Sequence, residues 1–157
     1  MNAYLYLKGN SNAIVEGNVF SKASANIGYG IYVDQSTANT NLKIHRNDLT
    51  DCNTKLAFSA SASAGTVVSD NTAYATENEG SATITAAATS VTVTHSVTAW
   101  RTLRADDVAV SLTNTTTSNI GPVSIQNVTA TTFDIVCTAA PGASTAIFRW
   151  RMAANRV

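Results

Sequence analysis

Apolar and polar residues alternate with a period of two along most of this chain, and the alternation comes in two rhythms. In the first half the apolar runs are very short and they repeat. An apolar-x-apolar signal occurs at Leu5-Tyr6-Leu7, Ile31-Tyr32-Val33 and Leu56-Ala57-Phe58. An apolar-x-x-Asn signal follows each, at Val15 to Asn18, Ile44 to Asn47 and Val68 to Asn71. The first signal steps by 26 and 25 residues, the second by 29 and 24. Repeats of this length mark solenoids or arrays. Apolar spacing of two, not three or four, makes each unit a pair of short strands joined by Asn-, Gly-, Ser- and Thr-rich bends.

Asparagine suits such bends because it tolerates the left-handed backbone region and its side chain bonds to backbone. Stacking the repeats places Asn18, Asn47 and Asn71 above one another, at the strand spacing of about 4.8 Å. Amides at that spacing form a ladder. The pattern resembles the right-handed parallel β-helix of the pectate-lyase-like and phage-tailspike families, which carry such ladders. The longer first step comes from a polar insertion, Asp34 to Asn41, expected to project from the side. Ser59 to Gly65 reads as a turn region.

The second rhythm begins after residues 75–80, which carry no apolar anchor and mark a boundary. Residues 1–76 are expected to be β-helix coils and 77–157 a separate domain. Longer alternating strands follow: Ser81 to Thr85, Thr89 to Val97, Asp107 to Asn114, Val123 to Gln126, Thr132 to Thr138 and Ala146 to Ala153. Each aligns apolar residues on one face, which predicts an antiparallel β-sandwich. Val136 and Ile147 point away from that core and are candidates for a trimer interface.

The succession Gly80 to Ile84, Ala88 to His95, Asp107 to Val110, Asn127 to Phe133 and Phe148 to Trp150 resembles the small C-terminal β-sandwich of phage tail fibres and tailspikes. It departs from them in Ser96, which follows His95, and in the loop that carries Trp100. The resemblance implies an all-β homotrimer whose sandwich caps a β-helix of about three coils, drives trimerisation and touches host polysaccharide. It places the chain in a virion tail. An open strand edge at the first coil also suggests the C-terminal piece of a longer protein.

Composition narrows the chemistry. Charged residues make up 13% of the chain and the net charge is zero, so the basic footprint of a nucleic-acid binder is missing. No apolar run is long enough to span a membrane, and no basic-then-apolar leader opens the chain. Cys52 and Cys137 lack metal-ligand spacing; they read as buried free thiols, the alternative being a disulfide between distant regions.

Glycoside cleavage needs two carboxyl groups on one face. Glu16, Asp34, Asp48, Asp51 and Asp70 are available, but no acidic pair repeats, so no catalytic pair is expected here. The alternative is the end of a polysaccharide depolymerase whose active groove lies upstream. His45, beside Arg46, is expected in solvent. His95 among valines reads as a hydrogen-bonded core residue; three copies on a trimer axis would instead coordinate an ion. No cofactor is implied. Sugars bind exposed aromatic rings. Trp100 and Arg101, in one loop, and the outward-facing Tyr6 and Tyr32 are the glycan-contact candidates. Packing between subunits of a trimer suits the tyrosines better still.

Overall fold

A computed structural model describes residues 3–20, 28–98, 100–114 and 119–154. The chain is all-β and divides into two compact units. The first comprises residues 1–76, 98–101 and 154–157; the second comprises 77–97 and 102–153.

The first unit is a stack of three β-coils, each built from one longer and one shorter strand. The longer strands are β1 (Ala3–Lys8), β3 (Tyr29–Asp34) and β5 (Thr54–Phe58). The shorter ones are β2 (Ile14–Glu16), β4 (Lys43–His45) and β6 (Val67–Ser69). They form two parallel sheets, ordered β1-β3-β5 and β2-β4-β6. The register puts Leu5 on Ile31 on Leu56, and Val15 on Ile44 on Val68. Single-residue bridges continue the stack at Val19, Asp48 and Thr72. Alternation turns Ile31, Val33, Ile44 and Val68 inward, where each is fully buried. Each such side chain contributes about 1.5–3 kcal/mol. The middle coil therefore carries the core.

Two columns of left-handed residues turn the corners. Asn12, Asn41 and Gly65 have φ of 56°, 52° and 77°; Gly17, Arg46 and Asp70 have 70°, 55° and 54°. The second column lies one residue before the asparagines of the apolar-x-x-Asn signal. The left-handed turn expected of Asn18, Asn47 and Asn71 is thus made by their predecessors. The asparagines use their amides instead. The Asn18 amide donates to Asn47 Oδ1 at 3.0 Å, and the Asn47 amide to Asn71 Oδ1 at 2.9 Å.

The insertion after β3 does not simply project. Asn39 is fully buried and its amide donates to Asp34 O at 2.8 Å, while its Oδ1 receives the Asn10 backbone N–H at 3.0 Å. A polar side chain with every bond made can be buried, and this one pins the loop from inside.

Trp100 closes the third coil. Its ring lies 5.4 Å from that of Phe58, and its indole N–H donates to Ala154 O. Neighbouring backbone bonds, Thr98 N to Ala75 O and Ala154 N to Thr76 O, hold the same end.

The second unit contains β7 (Glu77–Ile84), β8 (Ser90–Thr94), β9 (Val108–Leu112), β10 (Val123–Gln126), β11 (Thr132–Cys137) and β12 (Ala146–Ala153). They make two antiparallel sheets, β7-β12-β9 and β10-β11-β8. Phe133, Ile135 and Cys137 of β11 and Phe148, Trp150 and Met152 of β12 are buried on alternate positions. Phe133 meets Trp150 edge-on at 5.4 Å. Strand β7 starts four residues before the expected Ser81. Glu77 to Gly80 carry no apolar residue, but they pair with Trp150 to Ala153. Gly80 lies under the Trp150 indole, where a Cβ would sit 2.8 Å from Cζ2.

Candidate functional site

The outer face of the β1-β3-β5 sheet presents the most developed polar and aromatic cluster of the first unit. Parallel register sets Tyr6 over Tyr32 and Lys8 over Asp34. The two tyrosine rings stack at 5.9 Å with planes 16° apart, and Tyr29 meets Tyr32 edge-on at 5.1 Å. Tyr6 is 50% exposed. Its hydroxyl donates to Asp34 Oδ2, and Lys8 Nζ lies 3.5 Å from the same oxygen. Ser36 N donates to Asp34 Oδ1 at 2.8 Å. The Tyr6 hydroxyl first, then Ser36 and Lys8, hold the Asp34 carboxyl well below the usual carboxylate range. The same hydrogen bond raises the Tyr6 phenol. Aromatic rims, a fixed carboxylate and an ammonium on a rigid sheet can hydrogen-bond a polyhydroxy ligand and pack against its apolar faces.

A second row runs across β2, β4 and β6. Glu16, His45 and Ser69 share one register. Glu16 Oε1 accepts from Arg46 Nη1 at 2.8 Å, and its other oxygen lies 3.8 Å from His45 Nε2. His45, expected in solvent, is half-buried.

Trp100 does not fit the glycan-contact reading. It is 7% exposed and belongs to the core of the coil stack. Its loop position suggested solvent, but the loop folds back and the indole fills the end of the third coil. Arg101 follows it, with its guanidinium 6.0 Å from the Trp100 ring. Of the four glycan candidates, Tyr6 and Tyr32 are brought together, while Trp100 and Arg101 lie with the coil-end residues. Tyr29, Asp34 and Lys8 were missed as partners. Their signal was present: Lys8 and Asp34 each follow a stacked tyrosine by two residues.

His95, the residue after β8, is buried, its ring 6.2 Å from Phe133. The hydrogen bond expected of a core histidine is absent: neither ring nitrogen has a partner among the described residues. Apolar alternation put the ring where no polar group reaches. No set of three metal-ligating side chains occurs among the described residues. Ile147 is 38% exposed and Val136 half-buried, both on outer faces. Cys52 and Cys137 are free and buried. Glu16 and Asp70 do not share a ladder row: Glu16 pairs with His45, whereas Asp70 aligns with Arg46 at the bend. Comparison of the chain with protein-family models, with curated proteins and with solved structures found no match.

Proposed function

We propose that this chain is the structural and host-recognition end of a trimeric phage tailspike or tail fibre. In this reading a right-handed parallel β-helix is closed by a β-sandwich, and the outer sheet of the coils contacts cell-surface glycan. The observation that carries the reading is the order of the architecture, a parallel stack with an asparagine ladder followed by antiparallel sheets. The Tyr6–Tyr32 ledge with Asp34 and Lys8 supports the glycan contact. Three of the five coil carboxylates favour adhesion over cleavage, because Asp34 is held by Tyr6 and Ser36, Glu16 by Arg46, and Asp48 by Thr50. A general acid or base needs a carboxyl free to reach the scissile bond. Exposed Ile14, Val19, Leu112, Val123 and Ile147 supply apolar surface for association with other copies.

Light scattering at low and high concentration tests the assembly. A mass three times that of the chain, unchanged on dilution, is expected. A monomer at all concentrations overturns the trimer and leaves these apolar side chains and the tyrosines as surface of a single chain.

A further inference from the structure

The outer face of the β2-β4-β6 sheet carries a glutamate, a histidine and a serine in one line. Val15, Ile44 and Val68 turn inward, so Glu16, His45 and Ser69, each one residue on, turn outward in shared register. Neighbouring strands lie about 4.8 Å apart. Each side chain of the row is therefore within reach of the next, and His45 stands between the other two. Glu16 Oε2 lies 3.8 Å from His45 Nε2. Glu16 Oε1 accepts from Arg46 Nη1 at 2.8 Å, which fixes the carboxylate. The Ser69 hydroxyl makes no hydrogen bond among the described residues.

A hydroxyl becomes a nucleophile when a neighbouring base takes its proton and a third group orients that base. The row holds these parts in that order. A histidine at either end of it would touch only one partner. With Nε2 turned to Glu16, Nδ1 is the ring atom left for Ser69. The 3.8 Å approach is longer than a hydrogen bond, as is common before substrate binds. Arg46 turns the corner directly after His45, at φ 55°, and its guanidinium reaches back to the coil of Glu16. Two residues earlier on the same strands, Ile14, Lys43 and Val67 form the adjoining outward row. Ile14 is exposed and Val67 half-buried, a shallow apolar shelf that suits a short acyl group.

We propose that this row is a nucleophilic site that hydrolyses esters of small carboxylic acids. Ser69 and His45 are its catalytic residues; Glu16 and Arg46 are positioning residues. Ser69 Oγ bonds to the ester carbonyl carbon while its proton passes to His45. The carbon–oxygen bond to the alcohol breaks, and the alcohol leaves with the proton from His45. Water then bonds to the acyl carbon and gives a proton to His45. The bond from Oγ to the acyl carbon breaks, Oγ takes the proton back, and the acid departs. Glu16 holds the imidazole and takes no proton itself. The bond cleaved is acyl–oxygen, not glycosidic, and the proposal rests neither on the trimer nor on glycan adhesion.

Two measurements test it. The unmodified chain is treated with a fluorophosphonate, which bonds to an activated serine oxygen as fluoride leaves, and the adduct is mapped by peptide mass. It should sit on Ser69. Release of p-nitrophenol from p-nitrophenyl acetate is then followed for the chain and its variants. Ser69→Ala and His45→Gln should each lose at least about tenfold in rate with their thermal melts unchanged. Glu16→Gln should lower kcat and leave KM nearly as it was, because it acts through His45 and not on the ester; a merely structural glutamate would move the melt and not kcat. An unmodified chain that gains no adduct at Ser69 overturns the proposal, and this readout needs no variant to fold. An adduct found on other residues instead, or turnover that survives Ser69→Ala, overturns it as well. The trimer reading is judged separately, by the mass of the chain at dilution.

Discussion

Asn71 Oδ1 accepts two hydrogen bonds from Asn47, one from its backbone N–H at 3.0 Å and one from its side-chain amide at 2.9 Å. The same Asn47 amide also donates to Val15 O at 2.9 Å and to His45 O at 3.1 Å. One buried side chain thereby ties all three coils. Asn47→Ala leaves these buried acceptors short of donors and should cost about 2–4 kcal/mol. Asn18→Ala, at the exposed end of the ladder, should cost under about 1 kcal/mol. Urea denaturation of both variants checks the contrast.

Trp100→Ala removes the ring that lies on Phe58 and the donor to Ala154 O. A loss of about 3–5 kcal/mol is expected. Trp100→Phe should recover part of it, since the ring returns without the N–H. Thermal melts rank the three proteins. A Trp100→Ala protein as stable as the parent would mean the indole is not a core residue.

Gly30 leaves no room for a side chain. A Cβ there would lie 2.6 Å from Lys55 O and 2.7 Å from Cys52 Sγ. Lys55 Nζ holds the turn in place by donating to Thr50 O at 2.8 Å and also to Cys52 O. Gly30→Ala must displace this turn and should cost about 1–3 kcal/mol, read as a fall in the urea midpoint.

The fold should weaken in acid. The Tyr6 hydroxyl, then Ser36 and Lys8, depress Asp34, and Thr50 depresses Asp48. Asn127 and Thr92 depress Asp134. A carboxyl whose folded pKa lies below its unfolded value stabilises the fold above the unfolded value. That contribution is present above about pH 4 and is lost as pH falls toward the folded value. The urea midpoint should therefore drop between about pH 5 and about pH 2. Asp34→Asn should show a smaller drop.

Both thiols should be silent in the native state. Burial raises Cys52 and Cys137 above the ordinary thiol range, so little thiolate forms near neutral pH. A maleimide reagent should label neither within minutes in buffer and both in denaturant. Rapid labelling of one in buffer would mean that its cover opens.

The sequence alone determined the strand period, the repeat and the inward residues of the coils. These follow from alternation at two residues, which is local and survives in any all-β packing. Ile31, Val33, Ile44 and Val68 are legible in this way, as are Phe133, Ile135, Phe148 and Trp150. That Arg46 makes a corner was not legible, because arginine has no intrinsic preference for the left-handed region and adopts it only where the stack demands it. The meeting of Tyr6 with Asp34, the burial of Asn39 and the return of Trp100 to the coil core were decided by tertiary structure. Each joins residues far apart in the chain, and contacts of that kind depend on register and on loop path, which no local pattern encodes.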